Sequence, residues 1–544
     1  MSSETQSDAE THEVFNQPSE LVDYNLFAGD CALREAVGRE GPGLALGEFE
    51  SLGARMGAAA YLELGAQANR HAPELETHDR YGRRINRVTY HPAYHALMDA
   101  AVKAGLAASP WSAPGPNAHV ARAARFYLQT QVEAGHLCPI TMTFAATPVL
   151  ARQAELAAAW LPKVHSGRYD PSDAPISRKH GATIGMAMTE KQGGSDVRAN
   201  TTRAVPLEDG LYSLVGHKFF VSAPMSDAFL ILAQAPGGLS CFLMPRWRPD
   251  GTRNAFQIIR LKRKMGNVSN ATCEAELRGA MAWLVGPEGR GIATILEMVS
   301  LTRFDCMIGS AAGMRIATAQ AIDHCRQRKA FGALLIDQPL MRNVLADLAV
   351  ESEAALVYGL RVAGALDNNE EAFARVAIPL GKYRICKQTP AHAYEAMECL
   401  GGSGFMEDSP MPRLYREAPV NAIWEGSGNI QCLDLLRALK RTPDSLDACL
   451  AEIAQARGEH RALDGHLDAL KADALDISGL ESGARDFADR LCCALQAALL
   501  IRHAPAATAD AFCRSRLEGR GRPLYGALPK DVDFRAIIER AAPR

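Results

Sequence analysis

Hydrophobic and polar positions follow two different periods along the chain. Within residues 56–160 apolar residues recur three and four positions apart, which predicts a helical domain. Between about residues 183 and 285 short apolar runs are separated by Gly, Pro, Asp and Asn, and they predict strands at Tyr212–Val215, Phe229–Leu232 and Ser240–Met244. After Gly291 the helical spacing returns, through 292–327 and 339–366. The pattern therefore predicts a compact β domain between two helical domains.

A further helical module is predicted beyond a break at Thr442 and Pro443. The fold class is α+β and mostly α. We divide the chain into an N-terminal extension (1–54), an N-terminal helical domain (55–180), a β domain (181–290), a helical bundle (291–440) and an extra C-terminal helical domain (441–544).

Composition excludes several classes of protein. Of the 544 residues 47% are hydrophobic and 22% are charged, which is typical of globular domains, and the net charge of −3 provides no overall attraction for polyanions. The 13 cysteines form no Cys-x-x-Cys pair, so we expect reduced thiols and no metal site. Residues 1–10 lack the features of a signal peptide and no apolar stretch is long enough to span a membrane, so a cytoplasmic protein with no membrane partner is expected. Rossmann and P-loop nucleotide motifs are absent.

A glycine-rich segment follows one of the predicted strands. Hydroxyl side chains at Thr189 and Ser195 lie on either side of Gly193 and Gly194. Glycines let a ligand approach the backbone closely, and hydroxyls can form hydrogen bonds with ring carbonyls or phosphates without carrying charge. The spacing indicates a ligand-binding loop, although a Gly-Gly turn capped by Ser195 and Asp196 explains it equally well.

A second candidate segment combines glycines with a carboxylate. Gly401 and Gly402 are adjacent, and further along Glu425 lies between Trp424 and Gly426. A carboxylate in that position is expected to be partly desolvated, which raises its pKa and suits it to removing a proton next to a carbonyl. From the residues alone, the simpler interpretation of Glu425 as a carboxylate at a helix N-terminus is favoured.

Both segments resemble the two signature patterns of the acyl-CoA dehydrogenase family, the flavoenzymes that oxidise acyl thioesters to enoyl thioesters. The order of helical, β and helical domains over residues 56–440 is similar to that of the family. The resemblance implies the acyl-CoA dehydrogenase fold, with FAD as cofactor and an acyl-CoA or another small molecule as substrate. It also implies that 218–222 is the strand against the flavin, with Phe220 in place of the commoner Trp and Ser222 in place of Thr.

The resemblance assigns roles to individual residues. It makes Glu425 the catalytic base that removes the substrate α-proton while hydride passes to the flavin. Some relatives carry their base on the helix that here holds Thr302, and because threonine cannot act as that base, Glu425 is the sole candidate. It implies that Arg328 reaches the cofactor pyrophosphate across a subunit interface. The full set of implied cofactor contacts is Met188, Thr189, Gly194, Ser195, Phe220, Val221, Ser222, Arg328, Phe331, Gly401, Gly402, Trp424, Ser427 and Asn429.

Segments outside the signature patterns resemble one branch of the family, the flavoproteins of the bacterial adaptive response to alkylation damage. The shared segments are 14–18, 136–143, 302–305 and 424–429. Members of that branch form homotetramers, bind FAD and double-stranded DNA, protect DNA from alkylating agents and have weak dehydrogenase activity of the isovaleryl-CoA type. The resemblance implies the same properties for this chain.

DNA binding in that branch is assigned largely to the extra C-terminal domain, where this sequence is nearly neutral. Residues 441–544 contain 15 Lys and Arg against 16 Asp and Glu. Because phosphate binding needs clustered cations, the candidates are Arg437, Lys440, Arg441, Arg514, Arg516, Arg520 and Arg522. A solvated surface explains each cluster equally well. No base-reading motif is present, so binding is expected to be nonspecific in sequence and dependent on salt.

Two alternatives stay open at the level of sequence. The first is a fully active dehydrogenase for short or branched acyl chains with no DNA role, in which the extra domain serves oligomerisation. The second is a flavin-bearing interaction protein without catalysis.

Overall fold

The computed structural model describes residues 11–474, 479–518 and 524–544, which are mostly helical. The N-terminal part is built from eight helices in this described portion: α1 (Cys31–Glu40), α2 (Leu46–Gly57), α3 (Ala59–Arg70), α4 (Pro92–Lys103), α5 (Ser109–Ser112), α6 (Ala118–Thr130), α7 (Leu137–Ala151) and α8 (Ala154–Val164). An antiparallel hairpin of β1 (Glu74–His78) and β2 (Arg84–Thr89) lies between α3 and α4. Helices fill most of residues 56–160, as the spacing predicts, and this hairpin is an element that the prediction of a helical domain did not include.

The central sheet contains seven of the described strands. These are β3 (Ile184–Ala187), β4 (Arg203–Pro206), β5 (Leu211–Ser222), β6 (Ala228–Ala235), β7 (Gly238–Pro245), β8 (Phe256–Leu261) and β9 (Thr272–Val285). The order β3-β6-β4-β5-β9-β7 is closed by pairing of β6 with β7, and β8 pairs with the outer part of β9. Closure removes most free edges of the sheet. The three strands predicted from the sequence lie within β5, β6 and β7 and are confirmed.

Long helices follow the sheet. They are α9 (Gly291–Gln327), α10 (Pro339–Asp367), α11 (Glu371–Cys399), α12 (Gly402–Phe405), α13 (Met411–Glu417) and α14 (Gly428–Arg441), with the short strands β10 (Lys329–Ala330) and β11 (Ala333–Leu334) after α9. Helix α9 is buried along most of its length because α6, α7, α10 and α11 pack around it. Its Asp305 accepts two hydrogen bonds of 2.7 Å from the buried Arg122 guanidinium of α6, which fixes the N-terminal helices to the bundle.

The C-terminal part packs on α10 and α11. It contains α15 (Asp444–Ala454), α16 (Arg461–Asp473), α17 (Ala484–His503), α18 (Ala506–Phe512) and α19 (Phe534–Ala541). The predicted break at Thr442 and Pro443 is confirmed, because these residues lie between α14 and α15. The predicted fold class is likewise confirmed. The domain boundaries stay a prediction, and the one at residue 54 falls inside α2.

Two further observations concern the whole described chain. All 13 cysteines are free, and 11 of them are buried. Within residues 11–474, 479–518 and 524–544, none of the helices has the length and the apolar character that crossing a membrane requires.

Candidate active site

Glu425 lies in the turn that leads into α14, and its backbone is in the left-handed region with φ of 56°. A non-glycine residue with a side chain of this size rarely adopts that conformation, which costs about 1–3 kcal/mol and is concentrated at functional sites. Gly426 follows with φ of 94°. The turn therefore presents a carboxylate in a strained conformation that its surroundings must maintain.

Three side chains maintain this turn through its carbonyl groups. The carbonyl of Glu425 accepts hydrogen bonds from Arg303 Nε at 2.9 Å and from Gln431 Nε2 at 3.0 Å. Lys382 Nζ donates to the carbonyls on both sides, at 2.7 Å to the preceding residue. Arg303 is itself held by Asp434, 2.7 Å away. The helices α9, α11 and α14 thus converge on the backbone of one residue.

The carboxylate of Glu425 faces α9. Thr302 Oγ1 donates to its Oε2 at 2.7 Å, and the same hydroxyl lies 3.0 Å from the carbonyl of Val299. Burial raises the pKa of Glu425 above its ordinary value, although the Thr302 hydrogen bond and the charges of Arg303 and Lys382 act in the opposite direction. The expected desolvation is confirmed in direction. Thr302, excluded as a base, instead positions the carboxylate.

The glycine-rich loop and strand β5 lie side by side, as a shared binding site requires. The backbone N–H of Phe219 donates to the carbonyl of Thr189 at 2.8 Å, and Asn200 Nδ2 donates to the carbonyl of Met188 at 2.9 Å. Gly194 packs on Thr189 so closely that a Cβ there would lie 2.6 Å from Oγ1. The loop is therefore a fixed element in which Thr189 has a defined position.

A buried ion pair lies beneath this loop, and sequence reasoning missed it. Lys218 Nζ donates to Glu190 Oε1 at 2.8 Å and to the carbonyl of Leu232 at 2.8 Å, and both side chains are fully buried. Glu190 also accepts hydrogen bonds from the backbone N–H groups of Thr201 and Thr202. Burial lowers the pKa of Lys218 to about 8, while Glu190 opposes that shift. The pair anchors both ends of the candidate binding loop to the sheet.

Strand β5 presents an aromatic ring and a hydroxyl next to each other. Phe220 is 48% exposed, and the hydroxyl of Ser222 lies 3.3 Å from that of Thr272 on β9. The thiol of Cys138 on α7 lies beside Ser222. Burial raises the pKa of Cys138 to about 11, and the negative charge of Glu425 raises it as well. Cys138 therefore connects the β5 side of the site with Glu425.

The other implied cofactor contacts separate into two locations. Trp424, whose Nε1 donates to Asn421 at 2.9 Å, adjoins Glu425, and Ser427 and Asn429 are exposed at the start of α14. Asn429 accepts a hydrogen bond of 2.8 Å from Arg485 of α17. Ser195 is exposed in the glycine-rich loop, whereas Val221 of β5 is fully buried, so that its side chain is not available to a ligand.

A second location lies at the far end of α9. Arg328 follows the last residue of α9, 26 residues beyond Thr302, which corresponds to about 39 Å along the helix. Gly401 and Gly402 are next to it, since the Cys325 thiol lies 3.9 Å from the carbonyl of Cys399. Phe331, with φ of 52°, is 99% exposed. Most of the length of α9 therefore separates this location from Glu425.

The candidate DNA-binding cations have unequal environments. Arg437, Lys440 and Arg441 are exposed at the end of α14, with Arg437 3.6 Å from Asp434. Arg514 is paired on the surface with Asp510 and Asp531. Arg516 is instead held inside the molecule by two buried carboxylates, so its guanidinium is not available to a phosphate. Arg520 and Arg522 lie outside the described residues.

Comparisons with known proteins agree with this architecture. Residues 16–171 match the N-terminal domain of the adaptive response protein AidB, and residues 185–280 and 289–440 match the middle and C-terminal domains of acyl-CoA dehydrogenases. AidB of Escherichia coli (strain K12) is 48% identical over 518 residues, which cover 94% of this chain and 95% of that protein. This chain belongs to the acyl-CoA dehydrogenase family. It has the AidB type of N-terminal domain, as its sequence resemblance implied.

Two matches from Caenorhabditis elegans, one in sequence and one in structure, extend the comparison. Acyl-CoA dehydrogenase family member 11 is 32% identical over 430 residues, covering 74% of this chain and 68% of that protein. The crystal structure of ACDH-11 in complex with C11-CoA superimposes with a TM-score of 0.83 at 26% identity, covering 95% of both chains. The similarity therefore includes the C-terminal part that follows the family's catalytic domains.

Family membership makes the chain an FAD-dependent oxidoreductase of the acyl-CoA dehydrogenase type, as the sequence implied. The residues on β5 fit a flavin. The exposed ring of Phe220 lies on the same strand as the hydroxyl of Ser222 and has the Lys262 ammonium 4.5 Å from its centre, and Gly194 packs directly on Thr189. Aromatic and hydroxyl groups in this arrangement suit a ring system with an apolar face and a hydrogen-bonding edge.

Proposed function

We propose that this protein oxidises acyl-CoA thioesters with Glu425 as the catalytic base, and that it associates with double-stranded DNA without sequence preference. The first part rests on one observation: Glu425 has a left-handed backbone and a raised pKa, and the Thr302 hydroxyl holds its carboxylate at 2.7 Å. A base whose pKa is raised toward the working pH is better suited to removing a weakly acidic α-proton.

In the proposed reaction the chain supplies orientation and a proton acceptor. The glycine-rich loop and β5 would hold FAD, which would supply the acceptor for the hydride that leaves the substrate β-carbon. Glu425 takes the α-proton on a carboxylate oxygen, and the Thr302 hydroxyl holds that carboxylate at 2.7 Å. Arg303 and Lys382 fix the backbone of the base, so that its position is established before substrate binds. The complex of ACDH-11 with C11-CoA supports an acyl-CoA as the substrate class.

The proposal is tested by anaerobic mixing of the holoenzyme with a panel of acyl-CoA thioesters, isovaleryl-CoA included. Bleaching of the flavin absorbance by at least one thioester is expected, and Glu425→Gln should retain FAD but show no bleaching. Flavin that stays oxidised with every thioester would exclude the catalytic half and favour an interaction protein. Bleaching in Glu425→Gln at the wild-type rate would remove Glu425 as the base.

The site residues at the far end of α9 support a homo-oligomer, and we propose the tetramer that the resemblance implied. Arg328, Phe331, Gly401 and Gly402 lie too far from Glu425 to contact the flavin of their own chain, so they are assigned to the flavin of a partner subunit. The exposed Phe331 would be covered in such an assembly. The free cysteines support a cytoplasmic location.

The DNA proposal is supported by the exposed cations Arg437, Lys440 and Arg441 and by the similarity to AidB along 94% of the chain. Protection of DNA against alkylation is proposed on the same similarity. In a gel-shift titration, replacing all three cations by Gln should reduce the slope of log K against log salt by about 0.9 per lost phosphate contact. Absence of duplex binding by the wild type even at low salt would favour the alternative of an active dehydrogenase with no DNA role.

A further inference from the structure

Lys382 is a buried lysine whose only identified role in the fold concerns the turn at Glu425. It lies on α11, and 1% of the residue is exposed. Among the described residues, no carboxylate oxygen lies within the 4.0 Å that defines an ion pair with its nitrogen. A buried ammonium is costly unless its charge and its donors are compensated. The hydrogen bonds of Lys382 therefore indicate why the chain retains it.

Both of these hydrogen bonds go to the Glu425 turn. The nitrogen donates to the carbonyl of Trp424 at 2.7 Å and to the carbonyl of Gly426. The two carbonyls flank the one residue of this turn that has a positive φ without being glycine. Lys382 fixes the 424–425 and 426–427 peptide groups, and Arg303 and Gln431 fix the peptide group between them. The left-handed backbone therefore cannot relax without breaking a charge-assisted hydrogen bond.

Lys382 has no direct ion-pair partner among the described residues, and Glu425 is the carboxylate whose charge acts on it from beyond that distance. The nearest other cation, Arg303, has its charge compensated by Asp434, which also binds Arg375. The titratable and polar groups that face Lys382 and Glu425 from the surrounding helices are Thr302, Arg303, Cys306, Cys386 and Cys138. The three thiols have raised pKa values because of burial and therefore stay neutral. Neutralising Glu425 would leave the ammonium uncompensated.

We propose that Lys382 is a positioning residue for the base: its two hydrogen bonds hold the turn so that Glu425 stays in its left-handed conformation against Thr302, and its ammonium is a second cation, beside Arg303, that favours the ionised carboxylate. The role of Lys382 in catalysis rests on the proposed function, in which Glu425 is the base. The charge of Lys382 lowers the pKa of Glu425, whereas burial raises it. The site can therefore exclude water while Glu425 stays able to accept a proton.

The test compares Lys382→Met with Lys382→Arg, which keeps the charge, and with Lys387→Met, which removes an exposed lysine five residues further along α11. The first readout is infrared difference titration of the Glu425 carboxyl group, assigned by its loss in Glu425→Gln. The second is the pH dependence of α-proton exchange of an acyl-CoA into deuterated water. The holoenzyme is used throughout.

In Lys382→Met both titrations should move to higher pH by about one pH unit, because the ionised carboxylate loses one of the two nearby cations that favour it. Lys382→Arg should restore the wild-type position at least in part, and Lys387→Met should leave it unchanged. If Lys382→Met does not fold, Lys382→Gln, which can still donate to a carbonyl but carries no charge, serves for the same comparison. Titration at the wild-type pH in a folded, uncharged variant would overturn the proposal.

The two readouts separate this proposal from the function on which it rests. If no thioester exchanges its α-proton in the wild type, while the infrared titration still moves in Lys382→Met, the proposed reaction fails and the coupling of Lys382 to Glu425 stands. If exchange occurs and depends on Glu425, but neither titration moves, the reaction stands and the role of Lys382 fails.

Discussion

Replacing Arg516 by Met should loosen the attachment of the C-terminal segment, and should do so far more than replacing its neighbour Arg514. Arg516 Nε donates to Glu351 at 2.9 Å, and its Nη2 binds Asp347. The side chain of Glu351 is 3% exposed and that of Asp347 is 1% exposed. Asp347 in turn accepts the backbone N–H of Gly526 at 2.9 Å. Removing the cation leaves two buried carboxylates with insufficient compensation.

Breaking a buried ion pair by removing one partner costs about 3–5 kcal/mol. That corresponds to about a hundredfold to several thousandfold in the opening equilibrium of the segment. Glu351 keeps Arg384 at 3.5 Å, which favours the lower end of this range. Arg514 pairs only with surface carboxylates, so Arg514→Met is the matched control and little change is expected there.

Native-state hydrogen exchange measures this opening at Gly526 and along α19. The loss of hydrogen-exchange protection in Arg516→Met, relative to the wild type, should become smaller toward acidic pH. Arg384 and Arg516 hold the pKa of Glu351 below its ordinary value against the effect of burial, so its stabilising contribution is present above the unfolded pKa and is lost as pH falls through the folded one. Wild-type protection in Arg516→Met at neutral pH, or an equal loss in Arg514→Met, would refute the reasoning.

Three other outcomes are expected. Phe331→Asp should shift the assembly to smaller species in sedimentation velocity and lower the FAD content, because a 99% exposed ring assigned to a subunit contact becomes charged; unchanged sedimentation would contradict this. Gly194→Ala should lower FAD retention with an unchanged circular dichroism spectrum, since the added Cβ would force the Thr189 hydroxyl 2.6 Å away to rotate. The dehydrogenation rate should fall as pH decreases through a value above the ordinary pKa of a glutamate, because burial raises the pKa of Glu425 and the base must be ionised; a pH-independent rate would count against that role.

The long elements could be predicted because their sequence patterns are long and clearly bounded. Helices α9 and α10 follow Gly and Pro residues and extend for 37 and 29 residues, so that spacing alone identifies them. The hairpin of β1 and β2 could not be predicted in the same way. Its strands are largely exposed and rich in charged side chains, and therefore they show no apolar alternation.

In the site, the sequence predicted which residue is the candidate base, but it did not predict which charged side chains pair with each other. The family resemblance, rather than the neighbouring residues, made Glu425 the candidate base, and the direction of its pKa shift followed from expected burial. The pair of Lys218 and Glu190 joins residues 28 positions apart, and Arg516 finds its partners 165 and 169 positions away. Sequence shows that a charge exists, but only the packing of distant segments decides whether that charge meets solvent or a buried counterion.

The hydroxyl of Thr302 has one hydrogen and two acceptors within reach, Glu425 Oε2 at 2.7 Å and the carbonyl of Val299 at 3.0 Å. While Glu425 is ionised, the threonine hydroxyl donates its hydrogen to the carboxylate. Once Glu425 has taken a proton, its new O–H can donate to Thr302 Oγ1, and the threonine hydrogen turns to Val299. Both hydrogen bonds of Thr302 then reverse their direction without any movement of a heavy atom. The ionised and the protonated base therefore have the same geometry, and Glu425 can accept a proton without a rearrangement of the site.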